Sequence, residues 1–135
     1  MIEDTGIQSF LRRITAPLHR AIAIFAVSAL MAATSCHSYH VDATVENQTG
    51  SPIKLLEVDY PSASFGANKL GVGEALHYRI QLRGSGVLRV QYTSGDGRQA
   101  QIDGPSLAEQ QEGRLGIVLL PGGKADFHPE LTPQP

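Results

Sequence analysis

From Val41 onward, apolar and polar residues alternate in short segments that Gly, Pro, Asn and Asp interrupt, and no helical period is sustained. A period of two is typical of β-strands that bury one face against a core. The clearest segment is 76–83, where Leu, Tyr, Ile and Leu alternate with His, Arg, Gln and Arg. The pattern therefore predicts an all-β domain.

Two glycine-containing turns predict how the middle segments pair. Apolar faces match across Gly95-Asp96-Gly97 when Ser94 pairs with Arg98, and Gly84-Ser85-Gly86 gives a second match of the same kind. Both fit three-residue hairpin loops with glycine at the position of positive φ. We expect an antiparallel meander from residue 76 to residue 103.

The same register places Arg89 opposite Asp103 and Gln91 opposite Gln101 on the outer face of the sheet. The outer face then consists of long polar side chains, which suit either plain solvation or contact with a glycan or a partner's edge strand. Its residues are His77, Arg79, Gln81, Arg89, Gln91, Gln99 and Gln101.

The remaining segments complete a small sandwich. A first strand starts at Val41, and a second runs from Ile53 to Tyr60 with a bulge where its alternation slips at Leu55 and Leu56. The apolar run 114–120 predicts a central strand. Pro121-Gly-Gly ends it, and the Pro-rich residues 123–135 are expected to be a disordered tail.

Six or seven short strands in one domain, residues 41–122, predict an antiparallel β-sandwich. The chain resembles immunoglobulin-like and transthyretin-like sandwiches, and small exported bacterial proteins of unknown function that share them. The segments that carry the resemblance are Val45-Glu-Asn-Gln-Thr-Gly, Glu57-Val-Asp-Tyr-Pro and Leu76-His-Tyr-Arg-Ile. It implies a fold and no activity.

An apolar run, residues 21–33, follows three arginines near the start of the chain and is shorter than the ~20 residues a spanning helix needs. This is typical of a signal peptide with an N-terminal helix. Small residues then precede Cys36, which resembles the lipobox of bacterial lipoproteins, although Ala33 stands where leucine is usual. The resemblance implies cleavage after residue 35 and acylation of Cys36. Ordinary secretion and an uncleaved anchor are the alternatives.

Cys36 is the only cysteine of the chain, so no internal disulfide can form. Residues 36–40 then form a lipidated tether, which holds the domain within ~15 Å of its membrane anchor. His37 is not the aspartate that the lipoprotein family links with inner-membrane retention, so the periplasmic side of the outer membrane is the expected location.

Charge excludes one class of partner. The chain holds 11 basic and 13 acidic residues, of which three and two precede residue 36, so the mature part holds 8 and 11 and carries a net charge of −3. Nucleic-acid binding needs clustered Lys or Arg and is not expected.

Histidines provide the candidate metal ligands. His37, His40 and His77 could bind copper or zinc together with Asp42 or Asp59. Two of the histidines lie in the expected tether and the third on a polar strand face, so solvated histidines are the simpler interpretation.

No residues converge on a catalytic pattern. Ser85 lies in a hairpin loop and not in a nucleophile elbow, while Glu57 and Asp59 share one strand face without partners. We expect no enzymatic activity and no cofactor.

A long segment, residues 60–68, is the best candidate for a binding loop, because loops carry recognition more often than strands do. Its candidate contacts are Tyr60, Pro61, Ser62, Ser64 and Phe65, although Phe65 also suits a role at the end of the core. The chain is thus expected to be a lipid-anchored envelope protein that acts by binding another envelope protein or a glycan, or as a structural part.

Overall fold

The computed structural model describes residues 36–133, and these form eight β-strands and no helix. The chain divides into the units Met1–His37 and Ser38–Pro135, and all strands belong to the second. The strands are β1 (Val41–Asn47), β2 (Ile53–Tyr60), β3 (Ala63–Leu70), β4 (Ala75–Ile80), β5 (Gly86–Thr93), β6 (Gln99–Leu107), β7 (Gly113–Leu120) and β8 (Lys124–Leu131).

Two four-stranded sheets make up the domain, in the orders β4-β1-β7-β8 and β3-β2-β5-β6. One core cluster contains residues of both sheets, so the sheets pack on each other as in a β-sandwich. Alternation decides which residues enter the core: Val41, Ala43 and Val45 are buried on β1, whereas Asp42 is exposed.

Successive strands run in opposite directions, so the connections between them lie at two opposite ends of the domain. The entry end holds the segment that leads into β1, the turn 61–62 and the connections 81–85 and 108–112. The far end holds the loops 48–52, 71–74, 94–98 and 121–123.

The predicted register of β5 and β6 is confirmed. Arg89 pairs with Asp103, and Gln91 pairs with Gln101. The Arg89 Nε and Asp103 Oδ1 atoms lie 3.0 Å apart, and both side chains are largely exposed. The hairpin loop closes as expected, with the Ser94 amide donating to the Arg98 carbonyl at 2.8 Å.

The bulge in β2 is also confirmed. The β2–β5 register shifts between Lys54 and Glu57, and Leu55 has a φ of 52° with its side chain exposed. The two adjacent leucines differ accordingly, because Leu56 is buried in the core. An extra residue lets both faces of β2 keep their polarity across the slip.

The predicted hairpin at Gly84–Gly86 is wrong. β4 pairs with β1 in one sheet and β5 pairs with β2 and β6 in the other, so residues 81–85 cross between sheets. Leu82 is buried within this crossing. Both sheets face the same core, so the alternation of β4 is equally compatible with either sheet.

The predicted disordered tail is wrong as well. Residues 124–131 form β8, which pairs antiparallel with β7 along its whole length. Ala125, Phe127 and Leu131 pack against the core from this strand. Pro129 is tolerated because β8 is an edge strand, where a missing amide donor is not needed for pairing on both sides.

Two further details differ from the expected antiparallel sandwich of six or seven strands. There are eight strands in the described part, and β1 runs parallel to β7. Immunoglobulin domains place their first and second strands in one sheet, whereas here these strands lie in different sheets. The connectivity is therefore not that of an immunoglobulin domain.

The expected signal peptide and its helix, residues 1–35, lie outside the described residues. Within the described residues, no helix is long and apolar enough to span a membrane.

Candidate functional site

The predicted binding loop is a tight hairpin. β2 ends at Tyr60, the turn consists of Pro61 and Ser62, and β3 begins at Ala63. The Ser62 amide donates to the Tyr60 carbonyl at 2.6 Å, which closes the turn. Ser64 is therefore an exposed strand residue, and the segment is shorter as a loop than the sequence predicts.

Three aromatic rings fill the place where the edge strands β3 and β4 of the two sheets approach each other. Phe65 is buried, and its ring stacks on that of Tyr78 with centroids 4.8 Å apart and planes 4° apart. Tyr60 meets Phe65 at 6.3 Å in a tilted arrangement. The interpretation of Phe65 as a core residue is confirmed, and it supports the two tyrosines from behind.

Beside these rings lies a groove of about 460 Å³, which we call the basic groove. It is lined by His40, Tyr60, Ser62, Ala63, Tyr78, Arg79, Gln81 and Arg83. None of these residues is acidic. Tyr78 is 47% exposed, although its position in the alternation of β4 predicts burial, because edge strands leave the seam between the sheets open.

Hydrogen bonds of Ser62 hold the two chain segments of the basic groove together. The Ser62 hydroxyl donates to the Gln81 carbonyl at 3.2 Å and accepts from the Arg83 amide at 3.3 Å. The Arg83 guanidinium donates to Gln81 Oε1 at 3.3 Å. Burial raises the pKa of the Tyr60 hydroxyl above its usual value.

One arginine of the basic groove is paired. Arg79 Nε donates to Asp42 Oδ1 at 2.8 Å across the β1–β4 pair. This hydrogen bond holds the pKa of the Asp42 carboxyl below its usual value and that of Arg79 above its own. Both side chains are well exposed, so the pair aligns Arg79 more than it stabilises the fold.

We expect Arg79→Gln to raise the pKa of Asp42 toward the ordinary aspartate value of about 3.9. The charged donor that favours the carboxylate is removed, and a carbon-detected NMR titration of the Asp42 carboxyl would measure the change. Because the folded pKa is lowered, this contribution to stability is present above the unfolded pKa and is lost as pH falls through the folded value. Arg89→Gln, on the other sheet, is the matched control and should leave Asp42 unchanged; an equal response to both variants would contradict the assignment.

A second concavity, the far-end cleft, lies between the β5–β6 hairpin and the β7–β8 turn. It encloses about 560 Å³. Its polar lining includes Thr49, Ser51, Ser94, Asp96, Arg98, Gln99 and Gln101, and Tyr92 lines it as well. Hydrogen bonds from the Ser94 hydroxyl and the Arg98 amide lower the pKa of Asp96, whose carboxylate is therefore a fixed acceptor at the rim.

The pattern of the sequence did not indicate the far-end cleft. Its signal is positional: three turns rich in Gly, Ser, Thr and Asp follow β1, β5 and β7, which all run in one direction. Turns after strands of one direction meet at one end of a sandwich, and recognition is common on such loops.

The structure places His40 and Asp42 beside one concavity, but it does not bring His77 or Asp59 to them. His77 is hydrogen-bonded to Thr44. Thr44 is four residues after His40, which corresponds to about 13 Å along an extended strand. Asp59 lies on the other sheet and accepts from Gln91 at 2.9 Å. Within residues 36–133 no group of three or more His, Cys, Asp or Glu side chains is placed to hold a metal ion. His37 belongs to the unit Met1–His37.

Candidate catalytic residues are likewise separated. Glu57 and Asp59 lie on β2, on the sheet opposite to that of His77. Ser85 lies in the crossing from β4 to β5, where its hydroxyl accepts from the Glu109 amide at 3.1 Å. No acid, base and nucleophile of this set share a surface.

Comparisons with known proteins assign no family to the chain. No family model matches the chain, and no curated protein matches it. Among solved structures, the chain is similar to the NMR structure of a protein from Eubacterium rectale, at 17% identity and a TM-score of 0.49. The similarity covers 66% of this chain and 86% of that one, and nothing about function follows from it.

Proposed function

We propose that this chain is a lipid-anchored cell-envelope protein whose β-domain acts by binding a partner, without catalysis. Cys36 supports the anchor, because it is the only cysteine, it is exposed as a free thiol, and it directly follows an apolar segment and small residues. A free, reactive thiol is a liability in an oxidising envelope, and acylation removes it.

The binding role is supported by the position of the connections between strands at two opposite ends of the domain. The chain enters β1 at the entry end, so the far-end cleft lies at the opposite end of the domain from that connection. The far end carries the far-end cleft, which more residues line than the basic groove. Its lining offers hydroxyl groups, side-chain amides and one ion pair. A short tether and an outward-facing polar cleft suit a receptor for another envelope protein or a glycan.

The likeness to transthyretin-like sandwiches belongs to the proposal as well. Of the two architectures that the sequence resembles, the immunoglobulin order is absent, because β1 and β2 lie in different sheets. We assign the domain to the transthyretin-like kind. For the location, His37 after the anchor favours the periplasmic side of the outer membrane, as the lipoprotein resemblance implies.

One experiment tests both parts of the proposal. The full chain is produced in a bacterial host with a photo-cross-linking residue in place of Arg98, which lines the far-end cleft, and is analysed by mass spectrometry. We expect an N-terminal peptide that begins at a diacylglycerol-modified Cys36. We also expect a discrete cross-linked adduct from position 98, because a partner that occupies the cleft comes within reach of that residue.

Two controls sharpen the result. Cys36→Ser should lose both the lipid and the adduct, while the cross-linker at Ser106, exposed near the other end of β6, should give no adduct. An unmodified Cys36 or a retained leader would overturn the anchor. Equal adducts from positions 98 and 106, or none, would overturn the binding role of the cleft.

A further inference from the structure

The basic groove brings two arginines and a histidine together in a domain that is negative overall. From Cys36 onward the chain has three more acidic than basic residues, yet none of the eight groove residues is acidic and three are Arg or His. Linear sequence does not show this cluster, because the groove draws on residues from positions 40 to 83.

Arg83 is the exceptional cation of this groove. Residues 36–133 contain five arginines, and Arg79, Arg89, Arg98 and Arg114 each lie within 4 Å of a carboxylate in that part of the chain. Arg83 is in none of these ion pairs, and its guanidinium donates only to the neutral Gln81 amide at 3.3 Å in the described contacts. Its charge is therefore available to an anion.

The other groove residues match a phosphate ester that carries an apolar part. Guanidinium groups bind phosphate through two parallel N–H donors, and Arg79 is already aligned beside the groove by Asp42. Tyr60 and Tyr78 supply amphipathic rings, the kind that occupy the boundary between lipid tails and water. Such a combination favours a lipid headgroup over a bare anion.

Position in the fold indicates where that headgroup is. The groove includes His40, which directly precedes β1 at the entry end and is the fourth residue after Cys36 along the chain. Four extended residues span about 13 Å, so an acyl group on Cys36 would bring the groove to the membrane surface.

We propose that the basic groove binds the phosphate of an anionic phospholipid in the membrane that holds the Cys36 anchor. Arg83 supplies the main contact and Arg79 the second, with the tyrosine rings beside the glycerol part of the headgroup. The inference rests on the proposed anchor. Its consequence is orientation: the entry end lies on the bilayer and the far-end cleft faces the aqueous phase.

The test uses the full chain in two kinds of lipid nanodisc, one of phosphatidylcholine alone and one that also contains phosphatidylglycerol, the latter prepared as a series of increasing phosphatidylglycerol content. Hydrogen exchange is measured by mass spectrometry. We expect slower exchange in the phosphatidylglycerol discs at the amides of residues 60, 62 and 63 and of residues 81–84, which flank the groove, and no change at loop 94–98. Arg83→Gln should raise the phosphatidylglycerol content needed for half-maximal protection about fivefold, the effect of one basic residue near an anionic surface.

Matched variants and a water-soluble phosphate ester serve as controls for this experiment. Arg98→Gln removes an exposed arginine at the far end and should leave the protection unchanged. Equal exchange in the two discs, or protection that survives Arg79→Gln combined with Arg83→Gln, would overturn the proposal. Glycerol phosphate added to phosphatidylcholine discs tests a soluble source, and equal protection by it would overturn the assignment to lipid. Failure of the anchor is read separately, from the mass of the Cys36 peptide in the same samples.

Discussion

Asn47→Asp should destabilise the β-domain by about 3 to 5 kcal/mol at neutral pH, the largest effect that we expect from a near-isosteric change. Asn47 is the one buried polar or charged side chain of the described residues, with no exposed surface. Its Nδ2 donates to the carbonyls of Ser51, Leu70 and Gly71 at 2.9 to 3.1 Å. An aspartate would turn a donor toward three acceptors into a buried negative oxygen.

The position of Asn47 explains why the loss is large. Its Oδ1 accepts from the amide and the hydroxyl of Thr49, and its backbone exchanges hydrogen bonds with the β3–β4 loop. One side chain thus joins the β1–β2 loop to the β3–β4 loop, between the two sheets. A domain with a typical free energy of unfolding of 5 to 15 kcal/mol would lose a large fraction of it.

The pH dependence of the stability of the Asn47→Asp variant identifies the buried carboxylate as the cause of the loss. Burial and the facing carbonyls favour the protonated acid of Asn47→Asp, so its folded pKa lies above the unfolded value near 3.9. The variant is then closest to wild type below pH ~4 and loses stability as pH rises through the folded pKa. Urea denaturation at several pH values measures this.

Two variants serve as controls for Asn47→Asp. Asn47→Ala should lose about 2 to 4 kcal/mol with no added pH dependence, because it leaves the same carbonyls unpaired without adding a charge. Gln48→Ala, at the exposed neighbouring position, should be close to neutral. An Asn47→Asp protein as stable as Gln48→Ala would show that these hydrogen bonds do not hold the loops together.

Gly66→Ala should cost about 3 kcal/mol or more, through a backbone clash at the bulge of β2. A Cβ atom at Gly66 would overlap the Leu56 carbonyl oxygen, and would lie 3.0 Å from the Leu56 carbonyl carbon and 3.1 Å from the Glu57 Cα. All three atoms belong to the backbone, so no side-chain rotation relieves the contact. β3 must move away from β2, which breaks ladder hydrogen bonds near Leu56 and Ala67.

Gly116→Ala is the matched control for Gly66→Ala. Gly116 lies in the central strand β7, and an added Cβ would meet His128 Cβ at 3.5 Å, an ordinary contact. Alanine also loses less backbone entropy than glycine, so this variant should range from neutral to about 1 kcal/mol more stable. Thermal and urea unfolding of the two variants test the contrast, and equal stability would refute the clash.

Features that depend on neighbours in sequence were predictable. The β5–β6 hairpin has a short loop with Gly97 at a φ of 85°, and the matching of apolar faces leaves one register. The bulge at Leu55 follows from the same rule, since two consecutive leucines cannot share one face of a strand. Each depends on a period of two and a local turn.

Features that depend on which sheet a strand joins were not predictable from the sequence. The alternation of β4 predicts a buried face but not the strand beside it, and here the neighbour is β1, whose paired residues lie 29 to 39 positions earlier in the chain. β8 was missed because its apolar residues are few and Pro129 interrupts them. Only pairing with β7 makes that segment a strand.

The candidate sites show the same division. Tyr60 and Ser62 were candidates from their segment, whereas Arg83 and Tyr78 join them only because the edges of the two sheets meet there. Asn47 resembles any residue that begins a turn, and its burial depends on the loop that packs over it.

The sequence alone therefore determined the β content, the buried face of each clear strand, the β5–β6 register and the bulge. Tertiary structure decided the strand order, the parallel β1–β7 pair, the role of Asn47 and the residues of both concavities. The physical reason is that alternation shows which side of a strand is buried. A strand buries that same side in either of two sheets that share one core. Which strands meet, and which polar groups then face each other, depends on contacts between residues far apart in the chain.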